Sequence, residues 1–164
     1  MLALIIIIFG ILSRIVLHTP NFTPILSLAL FGGMYLKGRQ GIWVPLLLMV
    51  LSDAIVGFHD TMAFTWGSIF LISLMGVWSK NHKSLTNVIG TSIGASCMFF
   101  LITNFGAFLS FYPHTSLGLQ KCYVLAIPFF RSTLASTVVY SVVLYVGYEW
   151  LLKQAKQPAL ARLL

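Results

Sequence analysis

Apolar residues fill most of this chain in long runs, and short clusters of polar residues, Gly and Pro separate them. A helix that spans a bilayer needs about 20 mostly apolar residues. The runs predict six helices, Leu2 to Leu17, Pro24 to Leu36, Ile42 to Gly57, Met62 to Trp78, Leu85 to Phe111 and Pro128 to Leu152. Pro24 suits a first helical position, with Thr23 as its cap. The connection from Tyr112 to Ile127 has room for a short interfacial helix, and a basic tail runs from Lys153 to Leu164. The first two runs are short for full spans, so tilt, local thinning of the bilayer or a re-entrant segment is expected there. The stretch Met1 to Leu17 lacks a basic leader and an A-x-A site, so it reads as an uncleaved first helix.

Composition agrees with this pattern. Of the 164 residues, 59% are hydrophobic and 8% are charged, against about 25% charged in soluble domains. Mean hydropathy is +0.95. The expected fold class is all-α, a polytopic membrane helix bundle forming a single transmembrane domain over residues 1–164. The net charge of +7 does not form one basic stripe, which argues against nucleic acid as a partner.

The positions of the basic residues set the expected orientation. Lys37, Arg39, Lys80, Lys83, Lys153, Lys156 and Arg162 fall on one side of a six-span topology, and Lys121 falls on the other. Arg14 and Arg131 lie within helix boundaries and stand outside that count. The bias predicts a multi-pass protein of the cell membrane with both termini in the cytoplasm. Cys97 lies in an apolar run and Cys122 near an aqueous edge, so a disulfide between them is not expected.

Ionisable groups within membrane spans are costly and are functional candidates. Asp53, Arg131 and Asn104 all fall in the outer parts of their predicted helices. His18, His59, Asp60, Tyr112 and His114 lie in or beside the outer loops. This predicts an outward-facing pocket. Asp53 and Arg131 are placed to pair across it, and they read equally as a structural ion pair. Asn104 reads as a ligand contact or as an interhelical hydrogen bond. Asn21, Trp66, His59 and Tyr112 complete the candidate lining. Trp43, Trp66, Trp78 and Trp150 read as an interfacial belt, with ligand stacking as the alternative for Trp66. Gly90, Gly94, Ala95 and Ser96 suit close helix packing. His18, His59 and His114 are weak metal candidates without ligand spacing, so neither a metal nor a cofactor is expected. Hydrolase, metalloprotease and phosphate-loop motifs are absent from the sequence, and an enzyme is not expected.

Five stretches carry a resemblance. They are Pro20-Asn21-Phe22-Thr23-Pro24, Ala29-Leu30-Phe31-Gly32-Gly33, Leu51-Ser52-Asp53 with Gly57-Phe58-His59, Thr103-Asn104-Phe105-Gly106, and Ala126-Ile127-Pro128-Phe129-Phe130-Arg131. Together they resemble an uncharacterised bacterial family of small membrane proteins. That family is similar in size, helix number and topology to the S-components of energy-coupling-factor vitamin transporters. The resemblance implies a six-helix bundle in the inner membrane with a substrate cavity under the outer loops. It also implies an energy-coupling module as a partner. The first helix has Gly10 and Ser13 but no Ala-x-x-x-Ala docking pattern. The expected function is therefore a transport protein that binds a small solute, with a non-transporting accessory subunit among other membrane subunits as the alternative.

Overall fold

The computed structural model describes residues 2–16 and 21–155. The expectations for Leu17, for His18 and for the tail beyond Ala155 lie outside the described residues. Six α-helices follow one another: α1 (Leu2–Val16), α2 (Ile25–Tyr35), α3 (Gln40–Val56), α4 (Met62–Ser79), α5 (Leu85–Phe111) and α6 (Ser116–Ala155). The described residues contain no strand. Helices α4, α5 and α6 are long and apolar enough to cross a bilayer, and α1, α2 and α3 are apolar but shorter.

Local chemistry accounts for the helix ends. Ser84 caps α5 by accepting the Asn87 N–H at 3.1 Å. Gly57 ends α3 at φ +120°, a conformation that side-chain-bearing residues rarely adopt, and its N–H bonds the Asp53 carbonyl at 2.8 Å. Pro24, rather than Thr23, occupies the cap of α2, where no side chain bonds the first turn.

Helix α6 departs most from expectation. It begins at Ser116, and Pro128 lies inside it. Thr115 Oγ1 accepts the Gly118 N–H at 3.1 Å and starts the helix. Pro128 supplies no N–H to the helical ladder, but the stretch before it is held against α5. There the Tyr123 hydroxyl donates to the Leu101 carbonyl at 2.7 Å, and Cys122 Sγ donates to the Asn104 carbonyl at 3.4 Å. Cys97 and Cys122 are free thiols.

Helix α2 is the hub. It touches each of the other five helices, and α1, α3, α4, α5 and α6 follow one another in an arc around it. Ile25 through Met34 are all buried. At 11 residues it is about 16 Å long, too short for a hydrocarbon core of about 30 Å. The bundle accommodates a short helix because protein encloses it, and hydrogen bonds tie its start to α6. The Ser136 hydroxyl, midway along α6, donates to the Asn21 carbonyl at 3.3 Å, and the Ser27 hydroxyl donates to the Thr137 carbonyl at 2.9 Å. Many other buried hydroxyls, including Ser73, Ser92, Ser96 and Thr137, donate to the carbonyl four residues earlier in their own helix, which hides them from hydrocarbon.

Helices α2 and α4 approach each other backbone to backbone. A Cβ at Gly33 would run into the backbone of Ser73, Gly76 and Val77, and one at Gly76 would run into the backbone of Leu30. In α5, Ala95 and Ser96 are buried, whereas Gly90 faces open space; its expected part in close packing is not observed. Because backbone cannot yield as a flexible side chain can, Gly33→Ala and Gly76→Ala should each destabilise the detergent-solubilised protein by about 1–3 kcal/mol. Gly90→Ala should be neutral or stabilising by up to about 1 kcal/mol. Denaturant titration of the three variants checks the contrast.

Candidate solute-binding site

Asp53 lies in the last turn of α3 and is 0% exposed. Its Oδ1 accepts from Arg14 Nη1 of α1 at 2.6 Å, and its Oδ2 accepts from Trp66 Nε1 of α4 at 2.7 Å. Arg14 Nη1 also lies 2.6 Å from Ser52 Oγ, whose own hydroxyl donates to the Met49 carbonyl at 2.9 Å. Both carboxylate oxygens are thus bonded, and the guanidinium is 17% exposed at the side chain. This charged group joins α1, α3 and α4.

Arg14, not Arg131, is the partner of Asp53. Since α6 begins at Ser116, Arg131 falls well inside that helix, where it is exposed, and α6 makes no contact with α3. Among the described residues Arg131 has no ion-pair partner. In the sequence Arg14 and Arg131 lie equally near the ends of their predicted helices, so depth alone does not choose between them. The signal for it was present: a cation within a span, at the same end of the bundle as Asp53.

Trp66 has a second contact surface. With His59, Asp60, Phe58, Met62 and Ala63 it lines an open pocket of about 440 Å³. His59 Nδ1 lies 3.0 Å from Thr61 Oγ1, and His59 and Asp60 are exposed on the rim. Trp66 therefore joins this pocket to the buried pair, lining the one and giving its indole N–H to the other.

A separate cavity of about 140 Å³ lies between α5, α6 and the start of α2. Asn21, Thr103, Asn104 and Thr133 supply its polar lining, and Phe100 and Phe130 are among its walls. Asn104 Nδ2 donates to the Phe100 carbonyl at 2.7 Å. Among the described residues none donates to Asn104 Oδ1. Asn21 adopts φ +58°, a left-handed conformation that Asn tolerates better than most residues.

The candidate residues therefore divide. Asp53, Trp66 and His59 gather at one pocket, and Asn21 and Asn104 at another. Tyr112 follows α5, gives its N–H to the Phe108 carbonyl and lines neither pocket. His114 Nε2 lies 3.1 Å from the Leu109 carbonyl, and His18 lies outside the described residues. Among the described residues no three His, Cys, Asp or Glu side chains come together to hold a metal.

These features define an all-helical protein with helices able to cross a membrane and ionisable groups buried between them. The chain belongs to a family of unknown function, DUF6580, which it matches over residues 1–160. No curated protein and no solved structure matches it.

Removing one partner of a buried pair leaves the other charge uncompensated. Asp53→Ala should therefore cost about 3–5 kcal/mol. In double-mutant cycles, Asp53→Ala and Arg14→Ala should couple by about 0.5–3 kcal/mol, whereas Asp53→Ala and Arg131→Ala should be additive. Denaturation in detergent reads both. Coupling to Arg131 rather than to Arg14 would reverse the pairing.

Proposed function

We infer that the chain is the solute-binding protein of a membrane transport system, similar to a substrate-binding subunit of the energy-coupling-factor type. The observation that carries this reading is Trp66, whose N–H is held by the buried Asp53–Arg14 pair while the residue lines an open pocket of about 440 Å³. A pair with only a structural role needs no such pocket beside it. An indole fixed in this way is a pre-organised surface for stacking a planar or aliphatic group. The exposed His59 and Asp60 on the rim offer a donor and an anion, which suits a small polar or zwitterionic solute. The Asn21–Asn104 cavity is a second, smaller polar recess at the same end of the bundle.

The pocket faces the outside in this reading, and the termini lie in the cytoplasm. Lys37, Arg39, Lys80, Lys83 and Lys153 gather at the opposite end of the bundle and are all exposed, as the positive-inside rule requires of a cytoplasmic face. Trp43, Trp78 and Trp150 are exposed at that same end, where an aromatic belt sits at the lipid–water boundary.

Native mass spectrometry of the gently solubilised protein tests the reading. The wild type should carry a small-molecule mass. Ala63→Trp, which places a ring in the pocket from an exposed position, should lower occupancy by about tenfold or more, while Gly90→Ala should leave it unchanged. A protein that carries no small molecule and arrives with other membrane subunits would instead be an accessory component.

A further inference from the structure

The arc of helices around α2 does not close: α1 and α6 flank a gap in which they make no contact among the described residues. A groove of about 420 Å³ occupies this gap. Leu2, Ile5 and Phe9 of α1 form one wall, Val143, Gly147 and Leu151 of α6 form the other, and α2 forms the floor. From Leu2 to Phe9, and from Val143 to Leu151, the walls run about 10–12 Å along the helix axes, most of one hydrocarbon leaflet of about 15 Å. The groove lies in the half of the bundle that ends in the basic, tryptophan-rich face.

The end of the groove is charged in a particular way. Tyr148 lines it, its ring lies 4.5 Å from the Tyr35 ring, and Lys83 Nζ lies 4.1 Å above that Tyr35 ring. Lys153 is exposed two residues beyond Leu151. The acid at this end, Glu149, accepts the Tyr35 hydroxyl at 2.6 Å, which engages one of its oxygens within the protein. An apolar slot most of one leaflet deep, with Lys83 and Lys153 exposed at its end and in no ion pair among the described residues, matches a molecule with a long hydrocarbon tail and an anionic head.

We propose that this groove binds one anionic phospholipid, with an acyl chain between α1 and α6 and its phosphate beside Lys83 and Lys153. The proposal rests on the membrane-spanning helices and not on the solute-binding reading. A partner helix would fill the same slot without requiring the lysines at its end, so the charge separates the two occupants.

The test uses the full chain reconstituted into nanodiscs of equal parts phosphatidylglycerol and phosphatidylcholine with matched chains, then released for native mass spectrometry. The wild type should retain one phospholipid, enriched in phosphatidylglycerol. Gly147→Trp should abolish retention; an added Cβ at Gly147 meets nothing within 4 Å, so the protein should fold. Val139→Trp, on an exposed position of α6 outside the groove, should retain the lipid. Lys83→Gln and Lys153→Gln should each reduce the preference for the anionic lipid about fivefold. A wild type that retains no lipid, or equal retention by Gly147→Trp, would overturn the proposal. So would indifference to headgroup charge, or a polypeptide isolated with the wild type from native membranes and lost in Gly147→Trp.

Discussion

The backbones of α2 and α4 meet at Gly33 and Gly76 with no side chain between them, and the architecture depends on that contact. Within a bilayer, hydrophobic burial does not press one helix against another, because lipid tails are as apolar as leucine. Close van der Waals packing and interhelical hydrogen bonds do this instead. A helix of 11 residues cannot reach both surfaces of the membrane, so its end groups must be satisfied inside protein. Enclosure meets that need for α2. Gly33 brings α4 close, a Cβ at Gly41 at the start of α3 would come within 3.2 Å of Gly33 Cα, and hydroxyl bonds from Ser27 and Ser136 join the α2 region to α6.

A filled centre changes where polar chemistry can sit. With α2 on the axis, side chains from α3 and α6 cannot meet across the middle. The polar groups therefore divide into the Arg14–Asp53–Trp66 cluster on one flank and the Asn21–Asn104 recess on the other. A buried ion pair adds little net stability beside a well-packed apolar alternative, but losing one partner is expensive. Its effect here is on specificity. A bundle in which α1 lay elsewhere would strand Asp53 without its cation, so the pair selects the neighbour of α3.

The sequence made some of this legible and concealed the rest, for identifiable reasons. The apolar runs located α4 and α5 closely, because clear punctuation bounds them: His59-Asp60-Thr61, Ser79-Lys80-Asn81, and Pro113. The start of α6 was misplaced because Pro128 is a strong helix-start signal and Thr115-Ser116 a weaker one, and the contacts with α5 decided between them. Asp53 and Trp66 stood out by residue type, but the partner of Asp53 did not. One chain's polar pattern gives the depth of a residue, not which helix lies beside it, and Arg14 and Arg131 occupied equivalent predicted depths. Likewise the sequence pattern marks the small residues of α5 for close packing, whereas Gly33 and Gly76 are the ones that meet a neighbouring backbone. Composition cannot tell a glycine facing a neighbouring backbone from one facing lipid.

The two ends of the bundle thus carry different chemistry from the same helices. At one end, Arg14, Asp53 and Trp66 bond one another, and what remains open is the ring face and the rim of a pocket. At the other, Lys37, Arg39, Lys80, Lys83 and Lys153 are exposed and outnumber the one acid, Glu149, which is bonded to Tyr35, so net positive charge faces outward. That division follows from how the three acids of the chain are used. Asp53 pairs with Arg14, a cation that would otherwise be left largely buried without a counter-charge, Asp60 stands on the pocket rim, and Glu149 accepts the Tyr35 hydroxyl of the hub helix. Glu149 is thus the one acid at the end that carries the exposed Lys83 and Lys153, and an anionic headgroup is the further complement that the surrounding bilayer can supply.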